Sequence, residues 1–233
     1  MYNVAIIGCG RISHKIAEGV AKNHDRMRLV ALCDPIEEKM FETEKTYNKK
    51  MDNEGSILKY KDYKEILKEN KKIDLKILSE KIKEMCKPLL NELEDADNIS
   101  TYGEKAYKEY HLTGARGLAI SGYEIVLLDG INKLKDFCKT LDFETACILL
   151  LFYYMSVLDD TNIVNRANIA TLKEVQILSK ELFEENKKTL EKESIKNSMS
   201  KLNDIFIEKN ISAGGSADLL ILTIFIHLLT DEE

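Results

Sequence analysis

Residues 210–226 run Asn210-Ile211-Ser212-Ala213-Gly214-Gly215-Ser216-Ala217-Asp218 and then Leu219-Leu220-Ile221-Leu222-Thr223-Ile224-Phe225-Ile226. A glycine pair and a small polar residue open a strongly apolar helix, with Ser216 as the predicted N-cap. The free amides of such a first turn, with the positive end of the helix dipole, can hold a phosphate. Gly214 and Gly215 allow close backbone approach to a ligand, and Asp218 either compensates the dipole or faces a cation. The alternative interpretation is a capped, buried helix after a tight turn.

The composition restricts the class of protein. The chain has 233 residues, a net charge of −6 and 32% charged residues, a balance that argues against a protein that coats nucleic acid or an anionic membrane. Its five cysteines form no Cys-x-x-Cys pair, so neither a zinc site nor a disulfide framework is predicted. No apolar run reaches the roughly 18 residues that span a bilayer, and no secretory signal is present. We therefore expect a cytoplasmic protein with reduced thiols.

The first third of the chain carries a βαβ pattern. Val4-Ala5-Ile6-Ile7 predicts a buried parallel strand, Gly8-Cys9-Gly10-Arg11-Ile12-Ser13 a glycine-rich turn, and Arg28–Cys33 a second strand that ends at Asp34. In a dinucleotide-binding unit, Gly8 and Gly10 would permit close approach to a pyrophosphate, and Asp34 would bind the ribose. A segment this short holds about half of a complete dinucleotide-binding domain.

These stretches, together with Val30–Pro35 and Tyr60–Leu67, resemble the start of the Gfo/Idh/MocA family of NAD(P)-dependent sugar oxidoreductases. The resemblance implies NAD(P) as a cofactor. The family's later strands, its Glu-Lys-Pro motif and its substrate domain have no counterpart here. The segment is therefore either part of a working oxidoreductase or a remnant fused to something else.

From about residue 77 the apolar periodicity changes to steps of three and four, which predicts helices. The chain is expected to be mostly α, with an all-α domain over residues 77–233 after a partial Rossmann-like βαβ segment over residues 1–76. Phe143–Leu158 is apolar all round and predicts a buried helix. Residues 111–117 are expected to form a glycine-flanked turn that presents Arg116. The first helix face is expected to consist of Ile77, Leu78, Ile82, Met85, Cys86, Leu89, Leu90 and Leu93.

Clusters of polar residues lie between the predicted helices of this region. Asp160 and Asn162, after the buried helix, offer the oxygen ligands that suit Mg²⁺. Arg116, between two glycines, can present its guanidinium group to a phosphate. A cation site, an arginine and the amides of the helix start at residues 214–216 are together the groups that a polyphosphate site needs. Each also has a structural interpretation: a turn residue for Asp160, a surface residue for Arg116, and an ion pair with Asp159 or Asp160 for Arg166.

Four motifs in order resemble the C-terminal part of the triphosphoribosyl-dephospho-CoA synthase family, which makes the prosthetic-group precursor of citrate lyase. They are Thr101–Tyr107, then Thr113–Gly117 with Ser121–Tyr123, then Asp160–Val164 with Arg166, and Asn210–Ser212 with Gly214–Leu220. The resemblance implies an α-helical transferase that joins ATP to 3′-dephospho-CoA and releases adenine, with Mg²⁺ as cofactor. It makes Asp160 and Asp218 the candidates for catalysis and for metal binding, in roles left open. The implied nucleotide- or phosphate-binding residues are Arg116, Gly117, Asn162, Arg166, Ser212, Gly214, Gly215 and Ser216.

The chain also departs from this family. Leu118 and Ile120 stand where the family usually has glutamates, and the family's N-terminal half has no counterpart, so reduced turnover is expected. Three functions stay open: the transferase, an NAD(P)-binding oxidoreductase, and an inactive fusion of the two pieces. The open edges of a half-sheet further predict a homodimer.

Overall fold

The structure is a computed structural model that describes residues 1–51, 56–68, 74–89, 91 and 101–230. The chain divides into two compact units, Met1–Lys72 and Ile73–Glu233. The first holds a three-stranded sheet, and the second is built from helices. The prediction of a mostly α chain with an N-terminal βαβ segment is confirmed. The domain boundary expected between residues 76 and 77 stays a prediction.

The first unit is a parallel sheet with helical connections. The strands lie in the order β1-β2-β3, and both neighbouring pairs are parallel. Strand β1 is less buried than expected, because Ile6 faces the core while Ile7 is 39% exposed. The elements are β1 (Tyr2–Ile7), α1 (Ser13–Lys22), β2 (Met27–Cys33), α2 (Glu37–Met51), β3 (Leu58–Tyr60) and α3 (Tyr63–Lys68).

Asp34 fastens the glycine-rich turn to the end of β2. Its carboxylate is buried and accepts hydrogen bonds from the backbone N–H of Cys9 at 2.8 Å and of Ile36 at 2.9 Å. The Ile36 amide, and after it that of Cys9, lowers the pKa of Asp34, although burial opposes the shift. Gly8 adopts φ +86°, which favours glycine, and a Cβ at Gly10 would meet nothing within 4 Å. The predicted ribose-binding acid therefore also has a structural role within its own turn.

The second unit contains no strand among the residues that the structure describes. Its elements are α4 (Leu75–Cys86), α5 (Tyr102–Tyr110), α6 (Gly114–Ile120), a π-helix (Ile125–Gly130), α7 (Ile131–Cys138), α8 (Phe143–Val157), α9 (Thr161–Arg166), α10 (Ile169–Thr189), α11 (Lys192–Glu208) and α12 (Gly214–Thr230). Helix α8 lies at the centre and packs against α7, α10, α11 and α12.

Burial along α8 confirms the prediction of a core helix. Leu149, Leu150, Phe152 and Tyr154 are fully buried, because α8 is apolar on every side and has neighbours around it. The side chain of Asp142 caps the helix by accepting a hydrogen bond from the Thr145 amide at 3.1 Å. Because α8 is held in the core, residues 159 and 160, which follow its C-terminal end, have a defined position.

Two helix starts differ from expectation. Residues 111–117 do not form a turn: helix α6 begins at Gly114 and carries Arg116 in its first turn. The predicted N-cap Ser216 is also wrong, because α12 begins at Gly214 and Ser216 is its third residue. Asp218 consequently lies one turn inside α12. Helix propensity along the sequence does not set these two boundaries. Both helices begin where they contact other segments of the chain.

The face predicted for the first helix of this unit is partly wrong. Leu78 and Ile82 pack against the core, but Ile77 is 51% exposed and Met85 is 44% exposed. Ser79 takes the most buried place on α4. Ser79 is buried because Gly122 packs directly against it: a Cβ at Gly122 would overlap the Ser79 carbonyl oxygen. Leu90 and Leu93 lie outside the described residues.

Gly130, the last residue of the π-helix, packs against α8. A Cβ at Gly130 would overlap the hydroxyl oxygen of Tyr154. That hydroxyl bonds to Thr223 Oγ1, which itself donates to the Leu219 carbonyl at 2.7 Å, so Tyr154 acts as the donor. Burial raises the pKa of Tyr154 to about 12, which keeps the phenol protonated. Gly130 thus makes room for the bond that joins α8 to α12.

We predict that Gly130→Ala lowers the free energy of unfolding by about 2 kcal/mol, because the new methyl group displaces the Tyr154 hydroxyl. Urea unfolding followed by circular dichroism at 222 nm measures the change. Gly103→Ala is the matched control, since the atom nearest to its Cβ lies 4.0 Å away and alanine favours a helix. Equal midpoints for the two variants would contradict the assigned contact, and adding Tyr154→Phe should recover part of the loss.

We predict that Asp34 titrates below its usual value of about 3.9, because two amides bind its ionised form. Its contribution to folding stability is therefore present above that unfolded-state pKa and is lost as the pH falls through the lower folded-state pKa. The chemical shift of the Cys9 amide proton, followed by NMR against pH, reports the midpoint. In Asp34→Asn this titration should vanish. A midpoint at or above the usual value would refute the assignment.

Candidate functional site

One buried carboxylate joins two of the predicted motifs. Asp160 is 2% exposed, and its side chain caps α9 by accepting a hydrogen bond from the Asn162 amide at 3.0 Å. The same oxygen, Oδ1, accepts from Asn162 Nδ2 at 3.2 Å. The other oxygen, Oδ2, accepts from Ser216 N at 2.9 Å and from Ser216 Oγ at 3.2 Å. Asp160 therefore fastens the start of α9 to the start of α12 with four hydrogen bonds.

The glycine pair allows these two segments to approach each other. A Cβ at Gly215 would lie 3.1 Å from Asp160 Oδ1, and a Cβ at Gly214 would lie 2.9 Å from Asn162 Nδ2. Both distances are tighter than ordinary van der Waals contact, so a larger residue at either position would require the side chains of Asp160 or Asn162 to shift. The close approach expected for a ligand is used here by the protein's own side chains.

A cavity of about 250 Å³, here called the α12 cleft, lies beside this junction. It brings together residues from the start of α6, from the segment between α8 and α9, and from α12. Its polar end consists of Asp159, Asp160, Thr161, Asn162 and Asp218. Its apolar wall consists of Ala115, Leu118, Tyr123, Leu158, Leu219 and Leu222. Three motifs that are distant in sequence therefore meet at one cavity.

Tyr123 is a cleft residue for which sequence reasoning assigned no role. It adopts φ +52°, which is unusual for an aromatic residue and costs free energy. Gly122 before it is also left-handed at φ +68°, and the Tyr123 amide donates to the Leu118 carbonyl at 2.8 Å. This reversal at the end of α6 brings the ring to the cleft. In the sequence, the glycine directly before this aromatic residue was the signal that could have indicated the role of Tyr123.

The two aspartates predicted as catalytic have different surroundings. Asp160 is buried, and both of its oxygens already accept hydrogen bonds. Asp218 is exposed, lines the cleft, and makes no hydrogen bond or ion pair within the described parts of the chain. Asp159, also exposed, pairs with Lys173 at 3.5 Å and accepts from Gln176 Nε2 at 3.1 Å.

The other predicted phosphate-binding residues are dispersed. Arg116 lies between cleft residues, but its guanidinium group pairs with Glu104 at 3.5 Å. Arg166 is exposed in the last turn of α9. Ser212 lines a different groove on the other side of the α12 start. At Gly117 a Cβ would overlap the Thr113 side chain, so this glycine serves packing within α6.

A resident metal centre is not apparent in the part of the chain that the structure describes. No group of three or more histidine, cysteine, aspartate or glutamate side chains lies close enough together there to hold a metal ion. The same ranges contain no helix long and apolar enough to cross a membrane. Mg²⁺ at Asp160 and Asp218 therefore stays a prediction.

Comparison with known proteins identifies a family and relatives for most of the chain. The family model of ATP:dephospho-CoA triphosphoribosyl transferase matches residues 53–233. A relative from Streptococcus equi subsp. equi is 32% identical over 156 residues, 64% of this chain and 52% of its own length. A 2-(5''-triphosphoribosyl)-3'-dephosphocoenzyme-A synthase from Pectobacterium atrosepticum is 34% identical over 152 residues, 64% of this chain and 48% of its own.

These matches extend over only part of each relative's length. The chain spans about half the length of the curated relatives it matches, and no solved structure matches it. The findings give no support to the oxidoreductase alternative. The resemblance of the N-terminal segment to the Gfo/Idh/MocA family, with its NAD(P) site at Gly8, Gly10 and Asp34, stays a prediction.

We predict that Asp160→Ala lowers the free energy of unfolding by about 3 kcal/mol, because it leaves the buried donors of Ser216 and the part-buried donors of Asn162 without their acceptor. Asp218→Ala is the matched control and should leave stability within about 0.5 kcal/mol, since its side chain is exposed and makes no hydrogen bond or ion pair within the described residues. Urea unfolding followed by circular dichroism compares them. If the two variants unfolded at the same midpoint, the structural role given to Asp160 would be wrong.

Proposed function

The chain belongs to the ATP:dephospho-CoA triphosphoribosyl transferase family, and we propose from this that it transfers the triphosphoribosyl group of ATP to 3′-dephospho-CoA with release of adenine. The product is the prosthetic-group precursor of citrate lyase. The observation that carries the proposal is the α12 cleft, where three motifs of the family-matched region meet. A cavity with an apolar wall and a few convergent polar groups is typical of small-molecule sites.

The two ends of the cleft suit the two parts of a nucleoside. The ring of Tyr123 and the leucine side chains of the wall offer the flat and apolar surface on which a purine base stacks. The polar end offers carboxylate, hydroxyl and amide groups to a ribose. Adenine on the wall would place C1′ of ATP towards the polar end. The bond to be broken would then lie between the two ends.

The reaction replaces a carbon–nitrogen bond by a carbon–oxygen bond. The ribose 2′-hydroxyl oxygen of dephospho-CoA attacks C1′ of ATP, while the bond from C1′ to adenine N9 breaks and its electron pair leaves with adenine. The hydroxyl proton passes to a base, and the departing adenine takes up a proton. By analogy with glycoside hydrolysis, positive charge develops on the ribose in the transition state. A carboxylate nearby both accepts a proton and stabilises that charge.

We assign this carboxylate to Asp218 and a positioning role to Asp160. Asp218 faces the cleft with both oxygens unbonded within the described residues, so it is available to a substrate hydroxyl. Asp160 already accepts four hydrogen bonds and holds Asn162 at the polar end. The different bonding partners of the two aspartates support this division of tasks.

The triphosphate needs positive charge, and Mg²⁺ would supply part of it. Mg²⁺ in nucleotide sites is usually held by one or two carboxylates together with substrate phosphates. Asp159, exposed at the polar end of the cleft, fits that donor set better than the fully bonded Asp160, and Asp218 keeps its role as the base. Arg116 would contribute if its ion pair with Glu104 opened, and Arg166 lies at the exposed end of α9.

The proposal includes a location and an oligomeric state. A cytoplasmic site suits an ATP-consuming reaction and agrees with five free cysteines. The partners are small nucleotides, ATP and dephospho-CoA. Pairing of two chains through a sheet edge stays a prediction, supported by the outer strands β1 and β3, each of which has one paired neighbour in the described sheet.

We predict that purified protein releases adenine from ATP only when dephospho-CoA is present, as measured by liquid chromatography. Asp218→Asn should lower kcat by about a hundredfold or more, because the amide accepts no proton, while folding is retained. Asp204→Asn, an exposed aspartate on α11, is the control and should keep wild-type kcat. Absence of adenine with the wild-type chain would refute the transferase. Full activity in Asp218→Asn would refute the assigned base.

A further inference from the structure

A second and larger cavity lies on the other side of the α12 start. This cavity, here called the α11 groove, has a volume of about 520 Å³, within the range of small-molecule sites. Its floor is formed by buried Met155, Leu202 and Ile211. Its rim carries Asn203 and Ser212. The floor is apolar, and the rim offers amide and hydroxyl groups.

The lining of the α11 groove is uncharged. None of its twelve described lining residues is aspartate, glutamate, lysine or arginine, whereas 32% of the chain is charged. A groove without cations does not suit a triphosphate, and one without carboxylates does not suit a basic peptide. The lining matches a ligand that is uncharged, flexible and built from both apolar and amide groups. Two methionines in the lining can adapt to such a chain.

The groove and the α12 cleft share the first turns of α12. Ala213 and Ala217, four residues apart and therefore on one face, line the groove. Gly215 and Asp218 line the cleft from another face of the same turns. A molecule bound in the groove thus lies one helix diameter from the residues assigned to chemistry. A substrate with a long uncharged arm can have its arm in the groove and its reacting end at the cleft.

We propose that the α11 groove binds the pantetheine arm of the acceptor, dephospho-CoA. The proposal rests on the transferase function, which requires an acceptor as well as ATP. The arm is uncharged and contains two amide groups among methylene and methyl groups, which is the chemistry that the groove offers. The rest of the acceptor is ADP, whose charged phosphates stay outside the groove. Ser212, predicted to bind phosphate, instead contacts this arm.

The first test places a reporter in the groove. The chain has no tryptophan, so Asn203→Trp puts a single indole at the exposed rim. Dephospho-CoA should change its fluorescence with saturation, whereas ADP, which lacks the arm, should not. Ile177→Trp on α10, an exposed site that does not line the groove, is the control and should respond to neither. A change with ADP equal to that with dephospho-CoA, or no change with either, would overturn the proposal.

The second test perturbs the groove without touching the cleft. Ile207 is 70% exposed at the rim, so Ile207→Glu should fold normally while placing a charge beside the arm. By calorimetry, its affinity for dephospho-CoA should fall about tenfold while its affinity for ADP stays unchanged. Ile177→Glu, the same change at a 61% exposed site elsewhere, should bind both like the wild type.

The two proposals fail in different ways. If the wild type releases adenine and Ile207→Glu binds dephospho-CoA as tightly as the wild type does, the groove assignment is wrong and the transferase stands. If Ile207→Glu weakens ADP and dephospho-CoA equally, the effect does not come from the arm and the assignment is also wrong. If the wild type binds neither ATP nor dephospho-CoA, the proposed function and the groove assignment fall together.

Discussion

The carboxylate of Asp160 is the constraint on which the candidate site depends. It lies at the end of the buried helix α8, and its four hydrogen bonds reach both the start of α9 and the start of α12. A buried carboxylate needs hydrogen-bond donors for its oxygens, and here every donor is an amide or a hydroxyl group. Because α8 lies in the core, Asp160 joins both helix starts to a segment that follows a core helix.

This arrangement suits the glycine pair. Gly214 and Gly215 lie against the side chains of Asn162 and Asp160, where an added Cβ would come within 2.9 and 3.1 Å of those side chains. The carboxylate takes the place at the positive end of α12 where a phosphate was expected, and it compensates the helix dipole from within the protein. The motif is therefore first a structural junction, and Asp218, exposed one turn further along α12, is the carboxylate that we propose for the chemistry.

The sequence predicted the elements better than the contacts between them. The parallel βαβ unit and the core helix α8 followed from apolar runs and periodicity, which are local properties. The start of α6 at Gly114 and the exposure of Ile77 did not follow, because they depend on the approach of segments distant in sequence, such as Gly122 against Ser79. The meeting of three motifs at one cleft was expected from their order within a family, and the residues could not show by themselves that Asp160 would be buried.

The two cavities that flank α12 differ in the charge of their described lining residues, and this difference agrees with the two substrates of the proposed reaction. The α12 cleft holds the exposed carboxylates and an aromatic wall, while the α11 groove is uncharged along its described lining. A nucleotide donor needs a place for a base, a ribose and a cation, and of these two cavities the cleft is the one with carboxylates and a tyrosine ring among its lining residues. An acceptor that is half nucleotide and half neutral chain is best bound across the junction, with its neutral half on the far side. Under the proposed function Asp160 has a further consequence: by holding the first turn of α12 between the cavities, it would set the distance between the two bound substrates.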